Sequence, residues 1–185
     1  ASLTSAQLTA LSSGQIASLT TAQVAALDSD QIDGLSASQV GALSSAQVIA
    51  LGTDNVVSLS TDQVAALSSR AVGALTAAQL TAMTSDQIQA LGSAQIAALS
   101  SADLQALSSE DINTFSTDEF AIINSAAIRG ISTDVIGELS TDLIGVMNTR
   151  AVAALSSAQV AAMTSDQIAA LSTGQLASLT SVAVA

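Results

Sequence analysis

The chain has 185 residues, room for one or two ordinary domains, yet it contains no Cys, His, Trp, Tyr, Pro or Lys. Fifteen acids against Arg70, Arg129 and Arg150 give a net charge of −12, which excludes nucleic acid and anionic membrane surfaces as partners, since both require a basic face. No run of about 18 apolar residues occurs, so membrane insertion is not expected, and the absence of cysteine excludes disulfides.

From Leu3 onward a large apolar residue recurs at every eighth position, through Leu11, Leu19 and Leu27 to Leu179. It is replaced only by Met83, Phe115, Ile123, Ile131, Met147 and Met163. With this residue as position 1, residues 1–185 read as a single array of 23 octads without insertion or deletion. No basic signal-peptide region precedes it, because Ala1-Ser2-Leu3 enters the pattern at once. Position 2 is Ser, Thr, Asp, Asn or Gly throughout, from Thr4 and Ser12 to Thr180; these are the residues preferred at helix N-caps. Position 3 is Ser or Thr except at Ala37 and Ala77. Position 5 is usually Gln, as in Gln7, Gln15, Gln23 and Gln167, and position 6 is always Val, Ile, Leu or Phe. Positions 7 and 8 are mostly small.

Each octad therefore predicts a helix start. The position 2 side chain accepts from the amide three residues on, and the position 5 Gln reaches back to the cap amide, which is a capping box. Positions 1 and 6 have the spacing of a hydrophobic staple across that cap. Acids fall where the helix dipole favours them: nine at position 4, from Asp30 to Asp166, and Asp103, Asp111 and Glu119 at position 5.

One continuous helix is excluded by arithmetic. Eight residues at about 100° each drift by about 80° per octad, so no face stays apolar. The chain must turn at each cap, and helices of about six residues persist only when stacked neighbours bury positions 1, 6 and 8. The expected fold is an all-α solenoid, a superhelix of very short capped helices, one per octad. The competing fold is a β-solenoid, disfavoured because positions 1 and 6 have opposite parity in a strand and Ala and Gln are poor strand formers.

A second period of 80 residues overlies the first. Arg70-Ala71-Val72 recurs as Arg150-Ala151-Val152, and Met83–Ile88 recurs as Met163–Ile168. Duplication of a ten-octad block accounts for it; the sharper expectation is that ten octads also make a whole number of superhelical turns. Residues 113–147 are more apolar than the rest, and Phe115, Phe120, Ile122, Ile123 and Ile131 are the candidate interaction patch. A locally fatter core is the plainer account of the same residues. Neither end carries a distinct polar capping octad, and the last octad stops mid-motif at Ala185. Self-association with like chains, or continuation of a longer array, is therefore expected.

Little chemistry is expected. The hydroxyls have no His or Lys as a base, and the carboxylates are regularly spaced helix-start residues. The chain is expected not to be an enzyme, with no catalytic, cofactor or metal residues. Calcium on ladders of position 4 carboxylates is the one cation worth weighing, although no loop supplies several ligands.

The octad Leu19-Thr20-Thr21-Ala22-Gln23-Val24-Ala25-Ala26 resembles the opening helix of the repeats in TAL-type DNA-binding proteins. The roughly thirty-residue period and basic character of that family are absent, so DNA binding is not carried over. In style the whole chain resembles the Ala/Ser/Thr/Gln-rich short-repeat tracts of large bacterial surface or secreted proteins. That resemblance implies an extracellular or cell-surface location and a non-catalytic stalk, spacer or self-assembling filament or sheath segment. The alternatives are a solenoid scaffold that binds a protein or peptide through 113–147, and an ice- or mineral-binding surface built from Ser/Thr rows.

Overall fold

A computed structural model of the chain describes residues 4–179, and helix is the only regular element among them. Twenty-two helices of four to six residues run from Ser5–Thr9 to Thr173–Ser178, one per octad. The cap expected at Thr180 and the incomplete last octad lie outside the described residues. The β-solenoid alternative does not hold. Its failure has a local cause, because the polar residues of each octad close a helix start that strand backbone would leave open.

The octad at Ser36 shows how this works. Ser36 is extended (φ −70°, ψ 155°), its Oγ accepts from the Gln39 backbone N–H at 3.3 Å, and Gln39 Oε1 accepts from the Ser36 backbone N–H at 2.8 Å. The same reciprocal pair closes fifteen of the twenty-two helices. The other seven lack a partner for chemical reasons. Position 5 is Ala71, Ala127, Val135, Leu143 or Ala151 in five of them, and position 2 is Gly52 or Gly92 in the remaining two. Gly52 sits at φ 75°, where a side chain would be strained, while Leu51 before it stays in the helical region. The helices Ser45–Ala50 and Gly52–Val57 therefore follow with no extended cap between them.

Nearly every helix ends on a tighter turn, as where the Leu43 N–H donates to the Val40 carbonyl at 3.0 Å, and the chain then swings out at the next cap. Positions 1 and 6 form the core: Leu35, Val40, Leu43, Val48, Leu59 and Val64 are all buried.

Helices pack on those three octads away. Ala37–Gly41 lies between Ser13–Ala17 and Thr61–Ala66, and Thr141–Val146 lies between Thr117–Ala121 and Ser165–Ala170. One superhelical turn thus holds three octads, or 24 residues.

Stacked helices approach closely. A Cβ on Gly41 would lie 2.6 Å from the Ala66 carbonyl oxygen, and one on Gly130 would overlap the Ser101 carbonyl. The chain forms two compact units, Ala1–Gln95 and Ile96–Ala185. Both show the three-octad turn.

Candidate functional site and the amide clamp between turns

Position 5 does more than close the capping box. In Gln63, Oε1 accepts from the Ser60 backbone N–H at 2.8 Å, while Nε2 donates to the carbonyls of Ile32 at 3.0 Å and Leu35 at 2.7 Å on the preceding turn. Those carbonyls lie at the C-terminal end of the helix below, where the Leu35 carbonyl has no backbone donor and that of Ile32 accepts also from the Leu35 N–H at 3.1 Å. One buried amide therefore caps the start of its own helix and the end of its neighbour. Gln39, Gln47, Gln79, Gln87 and Gln95 repeat the arrangement in the first unit, and Gln159, Gln167 and Gln175 in the second. Asn55 is one methylene shorter and reaches only the Leu27 carbonyl, at 2.9 Å.

The clamp is what the capping argument missed. Glu would close the box as well as Gln and would suit the helix dipole better, so the persistent choice of Gln was the available signal that a donor is needed.

From 103 to 151 the clamp residue is absent in seven consecutive octads. Asp103, Asp111 and Glu119 keep the capping box but, as carboxylates, have no N–H to donate. Ala127, Val135, Leu143 and Ala151 follow. Other side chains bridge the turns here. Asn113 Nδ2 donates to the Glu138 carbonyl at 3.1 Å while its Oδ1 accepts from the Ser140 N–H at 2.9 Å. Arg129 Nε donates to the Ala154 carbonyl at 3.1 Å, and Asn148 Nδ2 to that of Ala121 at 3.3 Å.

Of the five candidate patch residues, Phe115, Phe120, Ile123 and Ile131 are buried at 1–4% exposure. Only Ile122 faces out, 47% exposed. The four interior residues widen the core, leaving a surface feature of one side chain. Ile122 borders a crevice of about 510 Å³ between successive turns, shared with Asn124, Ser125, Asn148, Thr149 and Arg150. A second crevice, of about 420 Å³, opens where Gly52 leaves a side chain out. Position 4 carboxylates recur one turn apart at Asp118, Asp142 and Asp166. Among the described residues no three acidic, His or Cys side chains are grouped to hold a metal ion.

A family model described as the ALTTAQ repeat matches residues 1–37, 21–53, 37–69, 49–77, 56–93, 72–101 and 144–173, together more than half of the chain. The chain belongs to the ALTTAQ repeat family. No curated protein matches it. The ALTTAQ octads carry the family's motif at positions 8 and 1 to 5, nearly verbatim at Ser18-Leu19-Thr20-Thr21-Ala22-Gln23, and its final Gln is the clamp. Residues 102–143, which the family matches leave out, begin one residue before Asp103 and hold all three carboxylate substitutes. The ALTTAQ signature and the clamp are lost together. No described helix is long and apolar enough to cross a membrane.

Proposed function

We propose that this ALTTAQ repeat chain is a non-catalytic structural array, acting as a stalk or spacer or as a segment of a self-assembling filament or sheath at a bacterial surface. The observation that carries this is how the recurring polar side chains are used. The position 2 side chain caps a helix, Gln Oε1 caps it from the other side, and Gln Nε2 holds the turn below. Several position 3 hydroxyls also bridge turns: Ser45 Oγ donates to the Arg70 carbonyl at 3.0 Å, and Ser29 Oγ to Asn55 Oδ1 at 3.3 Å. This use of hydroxyls weighs against ordered-surface binding by free Ser/Thr rows.

A spacer has a length set by its turn count. Deleting Ser36–Leu59, one whole turn, should leave a cooperatively folded helical protein, shorter by about one helix–helix spacing of 9 Å in small-angle scattering. A deletion that unfolds the chain, or leaves its longest dimension unchanged, contradicts a spacer role. Surface location has its own test: an antibody against the array should label intact cells without permeabilisation.

A second reading, a scaffold for a peptide, is supported by the exposed Ile122 beside Arg150 in the inter-turn crevice. Ile122→Ser should leave stability unchanged and remove selection of apolar, acidic peptides from a displayed library. No such selection by the parent chain removes this reading.

A further inference from the structure

At Ala127 the clamp position carries only a methyl group, and what this uncovers lies wholly within the second unit. The register is set by Gln159 in the same unit, which donates to carbonyls 31 and 28 residues back and accepts from the backbone N–H of its own cap residue. A Gln at 127 would by that register address the carbonyls of Ile96 and Leu99 and the N–H of Asn124. The Ile96 carbonyl already accepts from the Leu99 N–H at 3.1 Å. Among the described residues, however, the Leu99 carbonyl has no donor and the Asn124 backbone N–H has no acceptor, the Asn124 Oδ1 being engaged by the Ala126 N–H at 2.8 Å. Both residues line a crevice of about 350 Å³, together with Ala97, Ser100, Ala126 and Ala127. None of its lining side chains is charged.

We propose that this crevice is a binding site for a primary carboxamide, either the end of a glutamine side chain or a small free amide. The chain itself shows the chemistry, because Gln63 and Gln159 each place one carboxamide between a cap N–H and two carbonyls of the turn below. A carboxylate or a ketone brings acceptors only and has nothing to give the Leu99 carbonyl. An ammonium group donates but cannot accept from the Asn124 N–H. A primary amide does both and carries no charge, which suits an uncharged lining, and the methyl groups of Ala97, Ala126 and Ala127 are there to pack against the carbon next to it. The proposal rests on the scaffold reading only in that a ligand enters between turns, and it deepens that reading by naming the group recognised. It uses neither Ile122 nor Arg150, so the two can fail separately.

Propionamide is the probe, followed by nuclear magnetic resonance of the isotope-labelled chain. Its addition should give saturable shifts of the backbone N–H signals of Ser100, Ser101 and Asn124. Propionate and butanone, which have the same shape without the donor, should not. Ala127→Gln supplies the amide from within, and should raise the denaturation midpoint and abolish the propionamide shifts. Ala127→Met fills the crevice without an amide, and should abolish the shifts while leaving the midpoint below that of the Gln variant. N-acetylglutamine N-methylamide separates the two sources. Shifts matching those of propionamide mean that a peptide glutamine enters, and shifts with propionamide alone mean that only a free amide does; either result supports a carboxamide site. The absence of saturable shifts with propionamide overturns the proposal. Equal shifts with butanone, a full response in Ala127→Gln, or a Gln variant no more stable than the Met one overturn it too. Failure of the scaffold reading would be seen instead in the peptide selection with Ile122→Ser.

Discussion

Gln63 touches two helices at once, so replacing it separates the two jobs of position 5. Gln63→Met fills the space but strands the buried Leu35 carbonyl and leaves that of Ile32 only its backbone bond from the Leu35 N–H, and should lower stability by about 2 kcal/mol in urea titrations. Gln63→Glu keeps the capping acceptor yet sets a carboxylate against those carbonyls, and should cost more than the Met variant. Equal or smaller loss with Glu would mean that the donor is not what matters at this position. Phe120, 2% exposed, is a core residue, and Phe120→Ser should cost about 3–5 kcal/mol in the same assay, so lost binding in that variant would report unfolding. Backbone approach is tested by a pair of glycines. Gly130→Ala drives a methyl into the Ser101 carbonyl and should destabilise by more than about 2 kcal/mol, whereas Gly174→Ala, with open space around the new Cβ, should stabilise by about 0.5 kcal/mol. The Gln donor was legible only in the preference for Gln over Glu. Gly130 had no legible signal, because its contact lies 29 residues away and glycine scatters irregularly along the octads.

At the scale of the element, a helix of four to six residues is too short to hold itself, and three of its edges are borrowed: the cap before it, the clamp above it and the core face on either side. The octad, not the helix, is thus the unit the fold can gain or lose. Deleting Ser60–Leu67 moves every later octad by one place around the turn but keeps each one three octads from a clamp acceptor, so mean helicity should persist in circular dichroism. Deleting only Ser60–Gln63 puts cap against core and should lower the denaturation midpoint far more, and similar midpoints for the two deletions would contradict octad-wise packing. Helix starts were legible from the sequence because Ser36, Gln39 and Val40 each carry an independent local signal. The three-octad turn was not. Octads three apart look no more alike than octads one apart, and the atoms that set the turn are backbone carbonyls, which every residue has.

Across the whole molecule the clamps are unevenly placed. They run from Gln39 to Gln95 in the first unit, return at Gln159 to Gln175 in the second, and are missing over 103–151, where Phe115 and Phe120 enlarge the core, Asn113 and Arg129 bridge to the following turn and Asn148 to the preceding one. In a fold where each turn contacts only its neighbours, local stability follows the local inventory of contacts. Backbone amide exchange should accordingly be fastest in helices Ser5–Thr9 to Thr21–Val24, whose turn has no clamp beneath it, and slower by at least tenfold in Ala37–Gly41 to Thr61–Ala66. The central claim, that a glutamine amide ties each ALTTAQ turn to the one before it, is tested most directly by side-chain amide exchange in nuclear magnetic resonance. The Nε2 protons of Gln39, Gln63 and Gln87 should exchange at least a hundredfold more slowly than those of Gln7, Gln15 and Gln23 in dilute, monomeric protein. Equal, solvent-limited exchange at all six would contradict it.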